Sequence, residues 1–180
     1  LNLRGVRESG GLFAVPTYCF MAGMLVMIGW GLFRILVLGE PLRAESAQYT
    51  IEAEPRYADA TGFLLIALLA RTFSSGCAAL TGVEAISNGV PAFQKPKSKN
   101  AATTLLLLGT VAVTMVIGVI VLAHLTGLRL IDEGRSHYLL NGQRVDVIEK
   151  TGIAQLADVV FNDFRPGFYF VIAATFIILF

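Results

Sequence analysis

Of the 180 residues, 55% are apolar and 15% are charged, and 14 basic against 13 acidic side chains leave a net charge of +1, where a soluble domain carries roughly a quarter charged residues. The charges are segregated as well as few: residues 9–33, 60–70, 72–83, 85–94, 100–128 and 166–180 contain no Asp, Glu, Lys or Arg. A soluble globule is excluded on this pattern, nucleic-acid binding is excluded by the lack of a basic face, and Cys19 and Cys77 are too few for a disulfide framework.

A helix needs about 20 apolar residues to cross roughly 30 Å of hydrocarbon. The first such run is predicted over about 11–38, with Pro16 expected to kink it and Arg34 near its far end, where a long side chain can snorkel to the headgroups. The second, about 61–93, spans only if Arg71 and Glu84 are accepted inside the membrane. The third covers about 100–128. The fourth, 167–180, opens behind Pro166, a residue suited to the first helical position, and is too short to cross. The expectation is therefore an all-α integral membrane fold with three complete transmembrane helices and a truncated fourth, forming an internal piece of a larger protein. Arg4 and Arg7 in residues 1–10, and Lys95, Lys97 and Lys99 in 94–99, place those two connectors in the cytoplasm. Residues 39–60 and 129–165 are then external loops, in a multi-pass protein of the inner (plasma) membrane. Within the second loop, Ile148, Ile153, Leu156, Val159 and Val160 approximate helical spacing, with Glu149, Lys150, Gln155 and Asp158 between them. That is an interfacial amphipathic helix, read either as packing on the bundle or as a moving gate.

The second run carries the chemistry. After Gly62–Ala70 it changes character, and Ser74, Ser75, Gly76, Thr81 and Gly82 place poor helix formers at mid-membrane depth. A broken helix in lipid is tolerated only where its freed backbone groups are buried in protein or line a polar cavity, and secondary transporters build ion and substrate sites at such breaks. The bland alternative is a kinked helix whose small residues allow close packing, although GxxxG spacing is absent from the chain. Glu84 strengthens the functional reading, because an acid near the bilayer centre costs about 3 kcal/mol. Thr81, three residues earlier, shares a helical face with it, and a hydroxyl, a carboxylate and freed carbonyls are hard oxygen ligands suited to an alkali cation or a proton. The competing role for Glu84 is an ion pair with Arg71 or with a residue of another span; Arg71 lies 13 residues away, about 20 Å along a straight helix. His124, Tyr18 and Thr17 are weaker candidates for a polar pathway. No P-loop, GxGxxG, HExxH or CxxC pattern is present, so no enzyme and no cofactor is expected.

The wording of the segment adds to its pattern. Residues 76–91, Gly-Cys-Ala-Ala-Leu-Thr-Gly-Val-Glu-Ala-Ile-Ser-Asn-Gly-Val-Pro, with Ala92–Leu105 after them, resemble the sixth transmembrane helix and following loop of the amino acid–polyamine–organocation transporter superfamily, and most of all its KimA-type potassium–proton symporter branch. Asn2–Gly10 is similar to the loop before helix five of that family, and Thr151–Asp158 to its external loop helix. The resemblance implies helices five to eight of a LeuT-like fold of inverted repeats, with helix six unwound at the site. It also implies secondary active transport of potassium coupled to protons by alternating access. Thr81 and Glu84 would then contribute to cation binding or proton coupling, and Ser75 and Gly76 would lie in the unwound segment. The expected partners are a potassium ion and a proton, the lipid bilayer and, as a candidate assembly, a second copy in a homodimer. An amino acid permease of the same superfamily, and an inactive truncated membrane segment, are the alternatives. Helix one, which supplies half of the family's site, is outside these residues, so the piece by itself is expected not to transport.

Overall fold

The computed structural model describes residues 6–53, 61–77, 81–130, 136–140, 142–145 and 150–179. Its helices are α1 (Val6–Leu36), α2 (Gly62–Cys77), α3 (Thr81–Asn88), α4 (Lys97–Thr126), α5 (Gly152–Val160) and α6 (Arg165–Leu179). Three short strands, β1 (Thr50–Ala53), β2 (Ser136–Leu140) and β3 (Gln143–Val145), form one sheet in the order β1-β2-β3, so the all-α expectation is corrected to a helical fold with a small sheet in the segments 39–60 and 129–165. Helices α1 and α4 are long and apolar enough to cross a membrane, and α2 with α3 make a third span if the bent pair counts as one. Helix α1 passes through Pro16 without interruption and ends two residues before the expected boundary.

The chain divides into two bodies, Leu1–Glu52 with Met115–Phe180, and Ala53–Thr114. The first has the larger core: Met24, Met27, Leu122, Leu156, Ala157, Val160, Phe161 and Val171 are buried together. Close approach comes from single glycines rather than a repeated motif. A Cβ at Gly118 would stand 2.6 Å from Ile28, one at Gly31 would stand 2.8 Å from both Leu122 and Val160, and one at Gly167 would stand 2.6 Å from Phe161. Helices α1, α4, α5 and α6 therefore meet backbone against side chain, the usual role of small residues between membrane helices.

The helix ends in this body are tied together by hydrogen bonds. Helix α4 stops in a Schellman turn: Gly127 takes φ +68°, Leu128 N–H donates to Ala123 O at 2.9 Å and Gly127 N–H to His124 O at 3.2 Å. Ala44 N–H donates to Thr126 O (2.9 Å), and Ser46 Oγ accepts from Arg129 N–H (2.9 Å). Helix α5, capped by Thr151 Oγ1 on Ala154 N–H, packs on the bundle through Leu156, Ala157 and Val160, all fully buried. Gln155, read from sequence as part of the polar face, is buried too: its Oε1 accepts from Ser46 N–H and its Nε2 donates to Lys150 O. Ile148 and Glu149, expected in the same helix, lie outside the described residues. Lys150 reaches back to Glu45 at 2.7 Å. That hydrogen bond raises the Lys150 pKa above the usual 10.5. The pair therefore favours the folded state below about pH 10.5, and the gain is lost only as the pH climbs through the raised value.

Arg34 departs most from expectation. It does not snorkel; it is 6% exposed. Nε donates to Glu40 Oε2 at 2.6 Å, Nη1 to Val160 O at 2.9 Å and to Asn162 Oδ1 at 2.8 Å, and Nη2 to Asp163 Oδ2 at 2.7 Å. The physical reason is local supply: the chain brings two carboxylates, an amide and the last carbonyl of α5 to the end of α1, and they satisfy the guanidinium better than a headgroup layer would. Asp163 remains 76% exposed, so water offsets part of its loss. We expect Arg34→Ala to destabilise the complete protein by about 2–4 kcal/mol and Arg34→Lys by about half as much, measured as a fall in melting temperature in detergent.

Candidate functional site

In the second body, α2 ends at Cys77 and α3 begins at Thr81, with a bend of 43° between the two axes. The break expected in the second span is present, but later in sequence. Ser75 and Gly76, expected inside an unwound stretch, are helical and form the last turn of α2, and residues 78–80 lie outside the described residues. The reason is positional. Serine and glycine weaken a helix interior by up to about 1 kcal/mol each, but they are well tolerated in a terminal turn, where the carbonyls have no i+4 partner in any case.

That terminal turn sets the chemistry of the break. The carbonyls of Ser74, Ser75, Gly76 and Cys77 have no donor within α2, and the N–H groups of Thr81, Gly82, Val83 and Glu84 have no acceptor within α3. Two dipole ends, negative on α2 and positive on α3, approach each other across three residues. A carbonyl-rich helix end attracts a cation, and a carboxylate is favoured in the first turn of the next helix, where Glu84 sits.

Thr81 and Glu84 occupy the first turn of α3 together, as their spacing implies. Glu84 is exposed, and the side chain of Thr81 lies outside the described residues. Helix α3 lies against α4 at Gly82, where a Cβ would make an ordinary contact with Leu108 at 3.5 Å. Beyond α3 the chain turns through Val90–Ala92. There Lys97 Nζ donates to Pro91 O at 2.6 Å and Asn100 Nδ2 to Gln94 O at 3.0 Å, which anchors the basic connector at the start of α4. His124, a weaker candidate, is exposed in the last turn of α4.

No family model matches the chain. Over 126 residues, 69% of its length, it is 44% identical to the potassium transporter KimA of Bacillus subtilis (strain 168). The chain spans 19% of that curated relative. This similarity, together with the apolar helices, supports a membrane-embedded chain with KimA-like sequence.

Gly76 offers a test of the helix boundary, because an added Cβ would meet nothing within 4 Å. Gly76→Ala in the complete protein should strengthen the end of α2 by about 0.5–1 kcal/mol, read as slower amide hydrogen exchange over residues 74–77. Faster exchange there would place the break earlier than Cys77.

Proposed function

We propose that this chain forms part of the ion pathway of a potassium transporter, in which the break between α2 and α3 binds the ion and Glu84 couples it to proton movement. The observation that carries the reading is the broken span itself. The last four carbonyls of α2 lie on one side of a three-residue interval, and Thr81 and Glu84 lie on the other side in the first turn of α3, within an otherwise apolar stretch of sequence. Hard oxygens in this number and type suit an alkali cation, and selection among such ions falls to the field strength and geometry of the carbonyls. The similarity to a potassium transporter favours potassium over an amino acid as the cargo and disfavours the inert-segment alternative.

In this proposal the fold is LeuT-like, residues 1–10 and 94–99 face the cytoplasm, and 39–60 and 129–165 face outward. Support comes from the first body. Alternation across a membrane places the end of α1, the end of α4 and the start of α6 on one side. These three ends are the ones joined by Arg34 to Asp163 and by Ala44 to Thr126. Transport proceeds by alternating access: potassium and a proton load from outside, are released together into the cytoplasm, and the carrier returns empty, with Glu84 taking part by coordinating the cation or carrying the proton. A homodimer is the candidate assembly of the complete protein.

The test is uptake of rubidium, a potassium mimic, by the complete protein in proteoliposomes under an inward proton gradient. Glu84→Gln should lower uptake by at least about tenfold, the factor that about 1.4 kcal/mol of lost ion stabilisation produces, and should flatten its pH dependence. Thr81→Ala should raise the half-saturating concentration. Uptake by Glu84→Gln at the unaltered rate and pH profile would overturn the mechanism.

A further inference from the structure

Arg71 is a charge inside the second apolar run that the proposed ion site does not use. It lies nine residues into α2, about 14 Å from the start of that helix, near the middle of a bilayer core of roughly 30 Å. The helix has two distinct sides. Phe63, Ile66, Leu69 and Phe73 are its most exposed large side chains. Leu64 and Leu68 are its half-buried ones apart from Cys77 at its end. Leu64, Leu68, Arg71 and Ser75 fall at i, i+4, i+7 and i+11, which is one stripe. Arg71 and Ser75, both exposed, therefore continue the side of α2 that carries Leu64 and Leu68, opposite the aromatic side suited to lipid.

A guanidinium at this depth needs oxygen partners, and the same chain shows how many. Arg34 takes oxygens from two carboxylates, one amide and one carbonyl. Arg71 has no hydrogen-bond or ion-pair partner among the described residues. Within the broken span the one acid is Glu84, and the bend of 43° still leaves the two backbones about 18 Å apart at 1.5 Å per residue, beyond the combined reach of the side chains. The remaining acids of the chain belong by sequence to the segments between spans, apart from Glu8 in the first turn of α1.

We propose that Arg71 forms one half of an ion pair that docks the Leu64–Ser75 stripe of α2 against an acidic side chain in a membrane helix outside these 180 residues. The inference rests on the transporter reading for the depth of Arg71, but not on which ion is carried. The pair fixes the half of the broken span that precedes the break. It also offsets one buried negative charge, so that the acid near Arg71 does not compete for the transported cation.

The experiment uses the complete protein and reads folded yield and melting temperature in detergent, neither of which requires transport. Arg71→Gln should cut the folded yield about tenfold, as expected when a buried pair loses one partner, and Arg71→Lys should keep most of it. Suppressors of Arg71→Gln, selected for restored yield, should include Asp→Asn or Glu→Gln changes at one membrane position. Wild-type yield and melting temperature in Arg71→Gln would overturn the proposal, as would suppressors that never remove a membrane carboxylate. Failure of rubidium uptake by the unaltered protein would count against potassium as the cargo and leave the pair standing.

Discussion

A polar group that leaves water must find its partners inside the protein, and the end of α1 shows how much of the first body that condition decides. Arg34 closes an otherwise apolar helix, and its guanidinium is satisfied only because the chain returns after 126 residues to present Val160 O, with Asn162 and Asp163 just beyond. This return sets the entry of α6 and seats α5 on the bundle. Val160 then fills the space that Gly31 leaves open. Among the described residues, no buried side-chain nitrogen or oxygen lacks a partner. The described residues between the helices of this body are accordingly a hydrogen-bonded cap, in which Ser46, Gln155 and Arg129 each serve two strands of the chain. Of the two roles open to the loop helix at the sequence level, packing on the bundle is the one its buried face supports.

The second body answers the same condition differently. Helix α2 has no buried residue, and the break after it leaves four carbonyls and four N–H groups without intrahelical partners. Groups in that state are costly in hydrocarbon and useful in a pathway, because a passing cation can supply what the fold withholds. Arg34 and the α2–α3 break are thus two outcomes of one constraint. One is closed by protein oxygens, and in the proposed mechanism the other is closed by the transported ion.

Much of this was legible in the sequence. The long helices follow from charge-free runs, and α1 and α4 fall within a few residues of their expected positions because nothing in those runs competes with helix. The break was visible as a cluster of poor helix formers, although its place was not: propensity weights Ser75 and Gly76 alike wherever they stand, whereas a terminal turn tolerates them. The sheet was missed, and a signal for it existed. Leu140 pairs with Gln143 across Asn141–Gly142, an Asn-Gly pair that favours a two-residue hairpin turn, and Gly142 has the positive φ, 83°, that such a turn requires. Arg34 and Gln155 could not be read correctly from local pattern, since their partners lie far away in sequence, and a polar residue on an amphipathic helix is by default assigned to water.

The central claim is that the break with Glu84 beside it is where the ion binds. It is tested most directly by labelling carboxyl groups of the complete protein with a hydrophobic carbodiimide and following modification of Glu84 by mass spectrometry as potassium is added. The account predicts that potassium slows labelling of Glu84 in a saturable way while exposed carboxylates such as Asp163 react at an unchanged rate. Labelling of Glu84 at the same rate across all potassium concentrations would contradict it.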